Sequence, residues 1–182
     1  MVPRILIVCE GERTEPNYFR AFRVARSVRS VVIRGLGYNT LSLIEETIAI
    51  RDAEGPFDQV WCVLDTDSFP PENVRRAIAR AKASGIRVAC SNEAFELWYF
   101  LHFAYLDSGI SRQDYVDKLH ALLGYRYQKN DVAIYDALLS KQSTAIRNAV
   151  RLLKCYRRYD AASDKPSTTV HQLVEELNQH LE

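Results

Sequence analysis

Three short apolar runs in the first half of the chain each lead into acidic residues, and this pattern constrains the fold more than any other feature. Ile5 to Cys9 runs into Glu10-Gly11-Glu12, Gln59 to Leu64 runs into Asp65-Thr66-Asp67, and Ile86 to Cys90 is followed by Glu93 and Glu96. A continuous apolar, β-branched run reads as a strand covered on both faces, as in a parallel sheet with helices packed on it. The segments between the runs are amphipathic. Thr14 is the expected N-cap of a helix with Pro16 near its first positions and an apolar stripe through Tyr18, Phe19, Phe22 and Val24 to about Arg26. A strand over Val28 to Ile33, a Gly35/Gly37 turn and a helix over Leu41 to Ala53, ended by Gly55-Pro56, come next. Pro71 to Ala83 and the aromatic-rich Asn92 to Phe103 read as further helices.

Beyond that point no strand signal recurs. The rest reads as three or four helices, including Arg112 to Leu123, Ser143 to Arg158 and Thr169 to Leu181, with Asp160 to Thr168 as a loop. The expected architecture is α/β: a Rossmann-like parallel sheet of about four strands with flanking helices over residues 1–105, and a helical C-terminal region over residues 106–182 packed on that core.

With 24 basic and 23 acidic side chains in 182 residues, the formal net charge is +1, which excludes nucleic-acid binding by bulk charge. The four cysteines, Cys9, Cys62, Cys90 and Cys155, form no CxxC pair and lie near no histidine at zinc-ligand spacing, so they read as reduced thiols. No apolar stretch approaches the roughly 20 residues that span a bilayer, and the start MVPRILIVCE has too short an apolar run for a signal peptide. A cytoplasmic protein without membrane partners is expected.

Loops beyond the carboxyl ends of parallel strands converge on one crevice, so acids there carry more meaning than acids scattered over helices. Asp65 and Asp67, two residues apart on an extended segment, project to the same side. Two carboxylates about 4 Å apart repel by roughly 4 kcal/mol at an effective dielectric near 20, and a divalent cation relieves that repulsion. Mg²⁺ or Mn²⁺ suits an all-oxygen site better than Zn²⁺ does. The competing reading is an Asp that caps a helix or forms an Asx turn. The metal-site reading fails if Glu10, Asp65 or Asp67 instead caps a helix or pairs with a buried arginine.

The stretches ILIVCEGERTEPNYF, VWCVLDTDSF, SNEAFELWYFLHF and KPSTTVHQLVEEL resemble the RloB-like family, grouped with the Toprim-like proteins, over almost the whole chain. The resemblance implies a Toprim-like core in which Glu10 after the first strand and the Asp65/Asp67 pair coordinate Mg²⁺. It also implies a nuclease of a prokaryotic restriction or abortive-infection (anti-phage) system that works with an AAA- or ABC-type ATPase partner. This chain departs from the family pattern at Ser68, where many members carry another acid, and at Glu93 or Ala94, where many carry proline.

Two further acids are candidates. Glu15, one turn into the first helix, and Glu96, near the start of the aromatic-rich helix, either orient water or a second ion in the crevice or serve their helices alone. His102, among aromatics, reads as a core histidine rather than a base. Arg147, Arg151, Lys154 and Arg158 fall on one stripe of the helix Ser143 to Arg158, where they suit a phosphate backbone or, equally, a solvated or docking face. Arg75, Arg76, Arg80 and Lys82 offer a second basic surface, and Lys129 is a further phosphate-holding candidate. No P-loop or Gly-x-Ser-x-Gly is present, so nucleotide hydrolysis and serine chemistry lack support. The leading expectation is a metal-dependent nuclease acting on DNA or RNA, with Glu10, Asp65, Asp67, Glu15 and Glu96 as catalytic candidates. The alternative is a non-catalytic Toprim-like sensor or scaffold for the ATPase. Oligomeric state stays open, a homo-oligomer included.

Overall fold

A computed structural model describes residues 3–23, 31–35, 40–66 and 69–181, with the side chains of 31–34 left aside. The elements follow in the order β1 (Ile5–Cys9), α1 (Thr14–Arg20), β2 (Val31–Gly35), α2 (Thr40–Glu54), β3 (Gln59–Asp65), α3 (Pro71–Ala83), β4 (Arg87–Asn92) and α4 (Glu96–Phe100). Then come α5 (Arg112–Leu123), α6 (Ile134–Leu139), α7 (Gln142–Leu153), β5 (Ser167–Thr168) and α8 (Val170–Asn178). The sheet order is β2-β1-β3-β4-β5. The first four strands are mutually parallel and β5 is antiparallel to β4. This is the mixed α/β, Rossmann-like fold that the alternating pattern predicts.

Strand alternation sorts the side chains into two apolar layers. Leu6, Val8, Val60, Cys62 and Leu64 face α2 and α3 through Leu43, Ile44, Ala77 and Ala81. Ile5, Ile7, Cys9, Trp61 and Val63 face the opposite layer, which holds Tyr18 and Phe19 of α1, Trp98 and Tyr99 of α4, and residues of α5, α7 and α8. Every residue of β1 is buried, as a strand covered on both faces requires. The second layer joins the sheet and the C-terminal helices into one continuous apolar cluster. Cys9, Cys62 and Cys90 are buried, Cys155 is exposed, and all four are free thiols.

Several boundaries differ from the expectations. The helix predicted over Asn92 to Phe103 is reduced to α4, because Asn92 is the last residue of β4, pairs with Ser167 of β5, and donates its side-chain amide to Ala161 O at 3.4 Å. The loop predicted over Asp160 to Thr168 therefore contains a strand. Thr14 is the first helical residue of α1 rather than its cap; Arg13 holds the cap position without a side-chain bond. α1 ends at Arg20, with Ala21 as its C-cap, short of the expected Arg26; the start of the predicted second strand and Gly37 lie outside the described residues.

Candidate functional site

The order β2-β1-β3-β4 places a topological switch point between β1 and β3. From β1 the chain moves to one side to make β2, then returns past β1 to make β3 on the other. The loops leaving β1 and β3 consequently diverge and open a crevice at their carboxyl ends. The acids that end these two strands meet there. Glu10 N donates to Val63 O at 2.9 Å, extending the β1–β3 ladder, and Asp65 N donates to Glu10 Oε2 at 3.3 Å.

The loop after β1 is shaped around Glu15. Its carboxylate accepts from Gly11 N at 3.2 Å, and its side chain is buried. A Cβ on Gly11 would run into Glu15 Oε2, so glycine at 11 is what lets the loop close on that carboxylate. Gly35 at the end of β2 serves the same loop: a Cβ there would lie 2.5 Å from Gly11 O and 2.9 Å from Glu12 Cα. Backbone cannot yield as a flexible side chain does. Gly35→Ala is expected to cost about 1–3 kcal/mol of stability, checked by urea denaturation.

Glu96, the first residue of α4, is buried and accepts from Tyr127 Oη at 3.3 Å. Tyr127 belongs to a loop held against α1, since Thr14 Oγ1 donates to Lys129 O at 3.2 Å and Tyr99 Oη donates to Thr14 O at 3.3 Å. The exposed Lys129 is thereby carried beside the start of α1 and the acid-rich loop that precedes it.

Two basic residues absent from the sequence-based candidates also belong here. Arg112, the first residue of α5, donates from Nη2 to Asp65 Oδ2 at 2.9 Å. Its own backbone N donates to Glu93 Oε1 at 3.2 Å, and Lys165 Nζ pairs with Glu93 Oε2. Arg112 thus engages Asp65 through its guanidinium and Glu93 through its backbone N, while Lys165 forms the ion pair with Glu93. The available signal for Arg112 was its position: a cation in the first turn of a helix opposes the helix dipole and needs another reason to be there. For Lys165 the signal was its place in the KPSTT phrase.

The acids act on one another electrostatically. Burial, foremost, and then the charges of Glu15, Glu96 and Glu10 raise the Asp65 carboxyl well above its ordinary 3.8, against the opposing pull of Arg112. Burial, with a further contribution from Glu96, raises Glu15 from 4.5, against the amide hydrogen bonds it accepts and Arg112. A carboxyl whose folded pKa is raised binds more protons folded than unfolded between the two values. Its stabilising effect is therefore complete below the unfolded value and is lost as pH rises through the folded one. Between pH 5 and pH 7 these acids favour the lower pH, whereas the buried His102 and His171, whose pKa values are lowered, favour the higher. Glu15→Gln or Asp65→Asn is therefore expected to raise the melting temperature at pH 7 relative to pH 5 by a few degrees compared with wild type. Below about pH 4.5 stability falls further as Glu45, Asp114, Asp160 and Glu176, whose pKa values are lowered by their partners, become protonated.

A hard divalent ion suits this donor chemistry. Among the described residues, Asp65 Oδ1 is buried with no hydrogen-bond partner, on a side chain only 13% exposed. Among the same residues, no three of His, Cys, Asp and Glu converge closely enough to share one ion. The structure thus brings Glu10 and Asp65 together at the crevice, with Glu15 and Glu96 close enough to shift the Asp65 pKa. Asp67, the remaining expected ligand, and Ser68 lie outside the described residues. Asp65 pairs with Arg112, whose side chain is 34% exposed overall but whose Nε is buried.

The basic stripe is shorter than expected. α7 ends at Leu153, so Arg147 and Arg151 lie on the helix, Lys154 is its C-cap and Arg158 follows it in a loop. The chain leaves the helix axis where Tyr156 Oη donates to Pro166 O at 2.7 Å. All four cations are exposed, and Arg151 stacks 3.9 Å from the Tyr105 ring centroid. On α3, Arg75 pairs with Asp160 and Arg80 with Glu45, so much of the second basic surface is neutralised within the chain. His102 is the core histidine expected: Nδ1 lies 2.9 Å from Trp98 O, and burial lowers its pKa to about 4. Among the described residues no helix is long and apolar enough to cross a membrane.

Comparison with known proteins gives a family match alone. The model of a family described as RloB-like protein matches residues 5–177, nearly the whole chain. No curated protein and no solved structure matches.

Proposed function

The chain belongs to the RloB-like family, and from that premise we propose that it is a metal-dependent phosphodiesterase that cleaves nucleic acid. The observation that carries this reading is the Glu10 carboxylate reaching across the β1–β3 crevice to the Asp65 backbone N, with Asp65 Oδ1 buried and unpartnered among the described residues. A glutamate after the first strand and an aspartate at the end of β3 are what the Toprim-like resemblance implies.

Glu10 and Asp65, with Asp67 beside them in sequence, would hold Mg²⁺ or Mn²⁺. When bound, such an ion supplies Lewis-acid polarisation of a phosphoryl oxygen and a water of lowered pKa. The chain's own groups do the rest. Gly11 N fixes the Glu15 carboxylate, and Tyr127 fixes that of Glu96, so both acids are held at set positions near Asp65 to orient water or accept its proton. Lys129, exposed beside the acid-rich loop, adds positive charge suited to the phosphates of a polyanionic strand, while Arg112 and Lys165 are paired with Asp65 and Glu93. Arg147, Arg151, Lys154 and Arg158 extend that surface. Energy input, where the system needs it, comes from an AAA- or ABC-type ATPase, and the setting is anti-phage defence in a prokaryotic cytoplasm.

One observation favours a second reading. Arg112 already neutralises Asp65, as a structural ion pair would in a non-catalytic sensor or scaffold of the ATPase. Incubating the chain, with and without the ATPase, with DNA and with RNA in Mg²⁺ or Mn²⁺ separates the two. Cleavage in at least one condition supports the nuclease; intact substrates in all of them support the scaffold.

A further inference from the structure

We infer that Arg112 is a resident cation of the acid pocket that competes with the divalent ion for Asp65 and, once displaced, turns toward the phosphate of the incoming strand. The inference rests on the metal-dependent reading above and adds the regulation of that same site.

Three features of α5 carry it. First, the helix start is fixed without help from Arg112. Ser111 Oγ accepts from Asp114 N at 3.2 Å, and Asp114 Oδ2 accepts from Ser111 N at 3.0 Å, a complete capping box. Glu93 anchors the Arg112 backbone N independently. The side chain can therefore leave Asp65 while its Cα stays in place. Second, a guanidinium at the first helical position is disfavoured by the helix dipole, so its placement depends on the acids it faces. Third, its side chain is about one-third exposed against 13% for Asp65, so a route from the carboxylate to solvent is open to the arginine.

The competition follows from charge. The guanidinium engages Asp65 Oδ2 while the Glu10 carboxylate lies against Asp65 N, so a dication held by these two acids would take the same Asp65 carboxylate that the arginine holds. A dication and a guanidinium on the same carboxylate repel each other strongly at low effective dielectric. Occupancy by one therefore weakens the other. An arginine is also the side chain best matched to a phosphate, through its planar fork of donors. In the absence of metal, Arg112 covers the acids and keeps the pocket closed to a polyanion. With metal bound, it is available to one.

The test is Mn²⁺ binding to the full chain, read from the free-ion paramagnetic resonance signal, for wild type, Arg112→Gln, Arg112→Ala and Arg112→Lys, with folding checked by circular dichroism. Arg112→Gln keeps hydrogen-bonding capacity without charge and guards against collapse of the alanine variant. Both neutral variants are expected to bind Mn²⁺ at least about tenfold more tightly than wild type. Arg112→Lys should stay close to wild type, and Asp65→Asn added to Arg112→Gln should abolish the gain. Equal or weaker binding by the neutral variants, with wild type still binding Mn²⁺, overturns the competition and leaves the metal site standing. Absence of Mn²⁺ binding by every form overturns both.

Discussion

Asp65→Asn is expected to lower nucleic-acid cleavage in Mg²⁺ or Mn²⁺ by at least about a thousandfold while moving the melting temperature by no more than a few degrees. The two effects separate because Asp65 works for the site and against the fold. Its carboxylate is the ligand expected at the centre of the pocket, where three other acids crowd it and raise its pKa. The amide is nearly isosteric, keeps an oxygen for Arg112, and removes the charge that the neighbours oppose. What is lost is the anionic donor, and a neutral amide oxygen is a far poorer ligand for a hard dication. Arg112 then faces one fewer negative charge, but its partial exposure lets water compensate. Cleavage assays and a melting curve on the same preparation check both halves. A variant that cleaves like wild type removes Asp65 from the mechanism, and one that unfolds makes it structural.

The largest stability effect is expected at Trp98. It is fully buried in α4, meets the His102 ring at a centroid distance of 4.9 Å, and belongs to the cluster that joins β1 and β3 to α5, α7 and α8. Trp98→Ala leaves a large cavity in that cluster, at a cost of about 3–5 kcal/mol. Native stabilities of about 5–15 kcal/mol leave little after such a loss. A fall in melting temperature of about 10 °C or more is expected, with much of the variant insoluble on expression. A fall of only a few degrees would mean that α4 contributes less to holding the two halves of the chain together than its burial indicates.

The central sheet was legible because its strands are apolar on both faces, a pattern that needs no partner to be recognised. β3 extends its predicted run by one residue, and α3 and α5 match their predicted bounds. Elements decided by distant partners were not legible in this way. β5 exists because Ser167 and Thr168 pair with β4, and that same pairing draws Asn92 out of the predicted helix. The Ser143 to Arg158 pattern continued past the point where Tyr156 is drawn to Pro166. In the pocket, acids at strand ends could be located from the chain alone, since topology brings such ends together. Their basic partners could not: Arg112 lies 47 residues from Asp65, and Lys165 lies 72 residues from Glu93. The sequence also gave no warning that Glu15 would be clasped by Gly11 or that Tyr127 would reach Glu96, because both depend on how loops close in space.

Crystals of the chain grown with Mn²⁺ and measured at a wavelength with strong manganese anomalous scattering test the metal site most directly. The expected result is an anomalous peak within coordination distance of carboxylate oxygens of Glu10 and Asp65, with the Arg112 guanidinium moved off Asp65. Crystals at saturating Mn²⁺ that show no peak in the β1–β3 crevice and keep the Asp65–Arg112 pair intact would contradict it.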